Sequence, residues 1–251
     1  MFDPVKVAWG EYLQRFFAQV VPTNKQLELF TESTFGEVVW LAPGRMIDDA
    51  EEMLAKYRKK DVRGKATNSY RAPVMISAFA RDYTPTGRDY TRQIADMEYI
   101  TFPEDPKERV FGLKLISGDL RVQTCIFAQE EPTARSLAAQ FCLYIDSVEG
   151  RRFNARYPFA GFESEWPVQL DSPDTAGVLV QTGEKNMTIL AIDLNLHCAV
   201  PLFYAPKTAE EADDKGSLGD AADPAGFRTV QTINYPLRCH RAANPGDNLG
   251  L

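Results

Sequence analysis

Apolar and polar residues recur along this chain with two distinct periods, and the sharpest patterning lies between residues 108 and 148. Residues 110–116 and 120–128 are rich in Val, Ile, Leu and Phe, the composition of strands. Ser117, Gly118 and Asp119 between them supply the glycine that tight turns favour, so the pattern predicts a β-hairpin. Pro132 then stands where the first turn of a helix tolerates a missing N–H. Ala134, Leu137, Ala138, Phe141, Cys142, Ile145 and Val148 follow at helical spacing as one apolar stripe. A stripe of that kind must be buried, and the predicted hairpin is its natural partner.

Earlier in the chain, Asp3 and Pro4 form a helix-start pair. Val5, Ala8, Trp9, Tyr12, Leu13, Phe16, Phe17 and Val20 carry a helical stripe up to Pro22. A first helix so apolar on one side is either core or an intersubunit contact. Residues 26–41 contain a strand candidate at 37–41, closed by Pro43-Gly44. A second helix is expected over residues 46–60, with Ile47, Ala50, Leu54 and Tyr57 on its apolar side. Strands are expected at 73–80 and 97–102, joined by a polar loop carrying Tyr83, Pro85, Gly87 and Tyr90.

The second half reads as β-rich, with strands at 153–157, 166–170, 177–181 and 187–200. In the last of these, Ile192, Leu194, Leu196, Cys198 and Val200 alternate with Asp193, Asn195 and His197, so one face is dry and the other wet. Composition then shifts. Between 207 and 224, Glu210, Glu211, Asp213, Asp214, Asp220 and Asp223 are mixed with Ala and Gly, a segment that cannot bury enough apolar surface to fold by itself. A last strand candidate at 227–237 precedes a polar tail. The expected architecture is therefore α+β. Residues 1–206 form a core of mostly antiparallel sheet with helices packed on it, and residues 207–251 form an extended C-terminal segment of acidic linker, edge strand and arm.

Length and charge narrow the classes of function. The chain has 251 residues, 44% of them hydrophobic, with a formal net charge of -7. That is enough apolar material for a real core, and the wrong charge for a protein whose task is to grip nucleic acid in a sequence-specific way. One basic run, Lys56, Arg58, Lys59, Lys60, Arg63, Lys65 and Arg71, follows the acids Asp48, Asp49, Glu51 and Glu52. Acids opening a helix and bases closing it match the helix dipole, which accounts for the run without a ligand. Cys125, Cys142, Cys198 and Cys239 form no CxxC pair, and a reducing compartment fits them best. No apolar run approaches the length of a membrane span, and the first residues lack the charged and apolar regions of a secretion leader.

Candidate chemistry is sparse. His197 and His240 have no second ligand at a spacing that builds a metal site, so no metal is expected. No GxxxxGK[ST], GxGxxG or GxSxG is present, and neither a cofactor nor a catalytic residue is expected. Glu163 and Glu165, in the stretch between Phe162 and Trp166, would share one side of a strand, which suits either paired carboxylates or a solvated rim. Tyr83, Arg88, Tyr90 and Arg92 have the residue types of protein interfaces, and so do Phe227, Val230, Ile233, Tyr235 and Leu237 in the terminal strand candidate. That strand is expected to dock on an adjacent subunit or a partner protein by completing an open sheet edge; an ordinary edge strand of its own sheet is the alternative.

The order of elements over residues 45–200 resembles the tail-terminator and neck proteins of tailed bacteriophages. It has a hairpin such as 110–128, a helix such as 132–147 and a returning antiparallel strand such as 187–200. The resemblance implies a non-enzymatic virion protein, assembled in the host cytoplasm, whose copies close into a ring, in that family commonly of six. Its implied partners are further copies of itself, a tail tube or sheath protein and a head-connector protein, with no membrane. Residues 207–251 would be an elaboration of the simple pattern. A soluble enzyme is the rival class, which a deep pocket lined by Glu163, Glu165, Tyr83 or His197 would support. A baseplate or tail-fibre-associated binding module is the third.

Overall fold

In the computed structural model the described residues are 2–42, 71–85, 94–170, 176–180 and 187–228, with side chains left out at 81–85 and 94–96. Among these described residues, four helices and eight strands run in the order α1 (Asp3–Phe17), α2 (Lys25–Glu32), α3 (Phe35–Val38), β1 (Val39–Ala42), β2 (Val74–Pro85), β3 (Ile94–Thr101), β4 (Val110–Ala128), α4 (Glu131–Asp146), β5 (Arg152–Phe159), β6 (Phe162–Leu170), β7 (Val178–Val180) and β8 (Thr188–Tyr204). The expected helix at 46–60 and its basic run up to Lys65 lie outside the described residues, as do Arg88, Tyr90, Arg92, Val230, Ile233, Tyr235 and Leu237.

The sheet follows the order β1-β2-β4-β8-β6-β5. β3 adds to the edge of β4 beyond β2, and β7 adds to β8. Every pairing is antiparallel except β1 with β2. The chain is thus an α+β protein on a mostly antiparallel sheet, as its pattern predicts.

The predicted hairpin at 110–128 is not one. β4 is a single strand of 19 residues that passes straight through Ser117-Gly118-Asp119. Gly118 lies in register with Pro85 on one side and Cys198 on the other. All 17 residues of β8 pair with β4, from Gly112↔Tyr204 to Ala128↔Thr188. That ladder outweighs a local turn propensity, because a turn at Gly118 would leave half of β8 without a partner. The side-chain pattern agrees: Ser117, Asp119, Arg121 and Gln123 keep period two across the supposed turn, while Leu120, Val122 and Ile126 are buried in the core on the other face. Likewise β2 extends through Pro85, so Tyr83 is a strand residue in register with Leu120 rather than part of a loop.

Helices cover one face of this sheet. α4 buries Ala134, Leu137, Ala138, Phe141 and Ile145 against the core, and α1 buries Val5, Trp9, Tyr12, Leu13 and Phe16. Their rings interlock: Trp9 stacks on Tyr12 at 4.9 Å, Phe16 meets Phe141 at 4.9 Å, and Tyr12 meets Phe153 at 5.2 Å. The expected stripe ends early. α4 stops at Asp146, and Val148 is 93% exposed. The Ser147 hydroxyl accepts from Gly150 N–H, and a Cβ at Gly150 would collide with the Tyr144 carbonyl, so this turn requires glycine.

α2 falls where the sequence pattern suggested only a strand. Asn24 caps it, its side-chain oxygen accepting from Leu27 N–H at 2.9 Å while its amide donates to Thr133 on α4 at 3.0 Å. Gln140 of α4 grips the backbone of Val21 through both amide atoms, at 2.8 and 3.0 Å. Those contacts fix the α1–α2 connection on α4. The strand expected at 37–41 begins instead at Val39, because Glu37 turns back to the Thr34 N–H at 2.9 Å and holds α3 in a helical turn.

The other face of the sheet is less uniform. At one end Val74, Ile76, Ala78, Cys125, Phe127, Ile189 and Ala191 form a second apolar cluster. Further along the same face runs a polar row. Near the start of β4, a third cluster gathers Phe102, Phe111 and Ala160 with Phe159, Phe162 and Phe203 packed against them. The β5–β6 hairpin reaches that cluster by a turn at Ala160 and Gly161, with φ of +55° and +81°, the geometry of a tight primed turn.

Candidate functional site

Three arrangements of polar side chains stand out. The first is the polar row. Period two places Asp119, Arg121 and Gln123 of β4 beside His197, Asn195 and Asp193 of β8. Asp119 Oδ1 lies 2.9 Å from His197 Nδ1, and both side chains are partly shielded. A carboxylate oxygen accepts, so His197 Nδ1 is the donor in this contact. Arg121 and Gln123 both donate to Asp193 Oδ1, at 2.9 and 3.2 Å. Cys198, the neighbour of His197, points into the core on the opposite face, where burial and the Asp119 charge push its thiol up to about 12. A thiol so disposed is not a nucleophile for His197 to activate.

The second arrangement ties residues 207–228 to the loop before β4. Arg109 is buried, 3% exposed, and donates to both oxygens of Asp105 at 2.8 and 3.2 Å. Its remaining terminal nitrogen reaches Asp223 Oδ1 at 2.8 Å and the Pro224 carbonyl at 2.9 Å. Lys107 closes on Asp223 from outside at 2.7 Å. Burial alone would raise the Asp105 carboxyl, but hydrogen bonds from Arg109 and from the Lys107 and Arg109 backbone hold it below the ordinary carboxylate range. Around this centre Ala212 and Ala225 are buried, Asp213 N–H donates to the Gly226 carbonyl, and Ser217 N–H donates to the Asp223 carbonyl. The acidic segment has little apolar surface of its own. It is ordered by wrapping a buried guanidinium.

The third is a groove of about 420 Å³ between the helical layer and the sheet edge. Glu11 and Arg15 come from α1, four residues apart on one face, and Arg152, Asn154 and Arg156 come from alternate positions of β5. Glu165 of β6 completes it, accepting from Asn154 Nδ2 at 2.9 Å. The buried residues between them, Phe153, Ala155 and Tyr157, anchor β5 in the main core and make the platform rigid. Glu163 and Glu165 do share the exposed face of β6, as expected, but Glu165 is a wall of this groove, opposite arginines.

Of the interface candidates read from the sequence, Tyr83 lies in β2. Phe227 is held by its own protomer: its N–H donates to the Val110 carbonyl at 2.7 Å, and its ring meets the exposed ring of Tyr99 edge-on at 5.6 Å. The arginine groove was not anticipated, yet its signal was present. Arg152, Asn154 and Arg156 alternate with Phe153, Ala155 and Tyr157, which is the mark of a half-buried strand with a charged outer face.

Among the described residues, no group of three or more His, Cys, Asp or Glu is placed to hold a metal ion, and no helix is long and apolar enough to cross a membrane. No protein-family model matches the chain, and no curated protein shows significant similarity to it.

Proposed function

We propose that this chain is a virion structural protein of a tailed bacteriophage, a ring-forming neck or tail-terminator component that joins the head connector to the tail tube and sheath. The observation that carries this reading is the β4–β8 ladder. Strands commonly run about 3 to 10 residues, whereas this pair stays in register over all 17 residues of β8, a span of roughly 55 Å. Such a ladder is a stiff beam, and a helical layer bolted along one face stiffens it further. Rigid protomers with different surfaces on their two sides are what a closed ring of identical copies requires. The net charge of -7 suits a conduit for DNA, since a negative wall does not retain a polyanion. Partners in this reading are further copies of the chain, a tail tube or sheath protein, and a head-connector protein.

A soluble enzyme is the second reading, and the half-shielded Asp119–His197 pair is the observation in its favour. Mass measurement in solution with low-resolution imaging separates the two. A closed ring is the expected result, unchanged by His197→Ala. A compact monomer that binds a small molecule beside His197 would overturn the structural reading, and a threefold assembly would favour a baseplate or tail-fibre-associated module.

A further inference from the structure

We infer that the arginine groove between α1 and β5 is the receptor for the acidic segment 207–224 of a second copy of this chain, so that copies join head to tail. This inference rests on the ring-forming reading above and names the surfaces that meet. Arg15, Arg152 and Arg156 line the groove, and all three are exposed. Among the described residues none of the three guanidiniums donates a hydrogen bond. Arg156 stands 3.6 Å from Glu165 and 3.8 Å from Glu11, too far for one. A guanidinium presents five N–H groups in a planar fork that fits a carboxylate in bidentate fashion. Three such forks, two fixed on a strand whose alternate residues are buried and one on α1, form a pre-organised site for several carboxylates.

The acidic segment has the complementary character. Asp213, Asp220 and Asp223 are engaged with their own chain. Glu210, Glu211 and Asp214 are exposed, and among the described residues their carboxylates have no hydrogen bond or ion pair. They are not on a loose tail, since the Arg109 centre and the backbone bonds around it hold the segment in shape. Three exposed carboxylates on the acidic segment therefore match three exposed guanidiniums in the groove, of which Arg156 has only the long ion pairs to Glu165 and Glu11 and Arg15 only the face of the Tyr12 ring at 5.9 Å. Exposed Lys207 beside the acids matches Glu11 and Glu165 on the groove walls. Those glutamates would repel a phosphate backbone, and together with the net charge of -7 they favour an acidic peptide over nucleic acid. Because the two surfaces differ, the contact is heterologous and propagates until a ring closes.

Charge reversal on the full-length chain tests this. One variant carries Arg152→Glu and Arg156→Glu, and another carries Glu210→Lys, Glu211→Lys and Asp214→Lys. Sedimentation velocity should show each variant alone associating more weakly than wild type, on the order of a hundredfold, because like charges now meet. An equimolar mixture should restore assembly, since every contact between unlike variants is again attractive; this also shows that both variants are folded. Added salt should weaken the wild-type assembly. Wild-type association by the groove variant would overturn the inference and leave the ring reading standing, whereas a wild-type chain that stays monomeric would overturn both. Two monomeric variants that do not associate when mixed would overturn the inference as well. So would a groove variant that still associates but no longer retains a short DNA duplex bound by wild type, which would assign the groove to phosphate.

Discussion

The helical side of the sheet and the Arg109 centre are both buried, and they are held by opposite physics. On the helical side, α1 and α4 press rings and aliphatic chains onto β4 and β8, and the stabilisation scales with apolar area removed from water. Around Arg109, whose guanidinium lies 5.3 Å from the centre of the Phe111 ring, the contacts that hold the acidic segment are ionic, and one guanidinium satisfies two carboxylates and a carbonyl. The first kind of region tolerates conservative swaps of similar volume. The second fails if a single partner is removed, because what remains is a buried charge without its counterpart.

Phe141 gives the largest expected effect on the apolar side. It is fully buried and touches both Trp9 and Phe16. Phe141→Ala should cost about 4 kcal/mol of unfolding free energy in a denaturant titration. A loss under about 1 kcal/mol would mean that α4 is not docked as described.

Arg109→Met is the matching break on the ionic side. Asp105 would stay buried, 4% exposed, without its guanidinium, and the variant should lose about 3 kcal/mol. The loss should appear first as faster proteolysis within residues 207–228, while near-ultraviolet dichroism of the α1–α4 ring cluster stays as in wild type. Simultaneous loss of both signals would show that the two regions unfold as one unit.

These two regions also differ in how far the sequence reveals them. The apolar stripes of α1 and α4 and the alternation of β8 were legible, because burial on one face leaves a period in the sequence. The continuous β4 was misread at Gly118: a turn signal is local, while the pairing that overrode it comes from β8, some 70 residues later along the chain. α2 was missed because only Leu27 and Phe30 mark its apolar side. The Arg109 centre was invisible. Its acids lie at 105 and 223, far apart in sequence, and no periodicity links them. The arginine groove stood between these cases, since its β5 half is periodic and its α1 half becomes meaningful only once α1 is seen lying against β5.

Titration should separate the regions more gently. Asp105 and Asp223 both have folded pKa values below their ordinary ones, Asp105 for the reasons given above and Asp223 because Lys107 hydrogen-bonds and attracts it. Their contribution is therefore complete above the unfolded carboxylate range near about 4 and is lost as pH falls through the lower folded values. The exchange protection of the Phe227 amide, which donates to Val110, should fall on acidification, relative to the intrinsic rate at each pH, before that of any amide of α4 does. In Asp223→Asn that acid response should be shallower. Equal loss of protection at both sites would show that the ionic centre does not open independently.

The smallest expected effect is a gain, and it probes the apolar side with a polar residue. Gln26 of α2 is 2% exposed, and among the described residues neither its Nε2 nor its Oε1 has a hydrogen-bond partner. The contrast within the same core is the Ser77–Thr124 pair, buried but joined hydroxyl to hydroxyl at 2.7 Å. A buried amide gives up its water and here gains nothing in return, at a cost of about 1 to 3 kcal/mol. Met has nearly the volume of Gln, an equally unbranched stem and no amide to satisfy. Gln26→Met should therefore stabilise the protein by about 1 kcal/mol, seen as a higher denaturant midpoint with an unchanged slope. A destabilised Gln26→Met would mean that the amide is bonded to an internal water, and the polar atoms of Trp9 and Tyr12, buried without partners in the same core, would then be the next groups to examine for the same solvent.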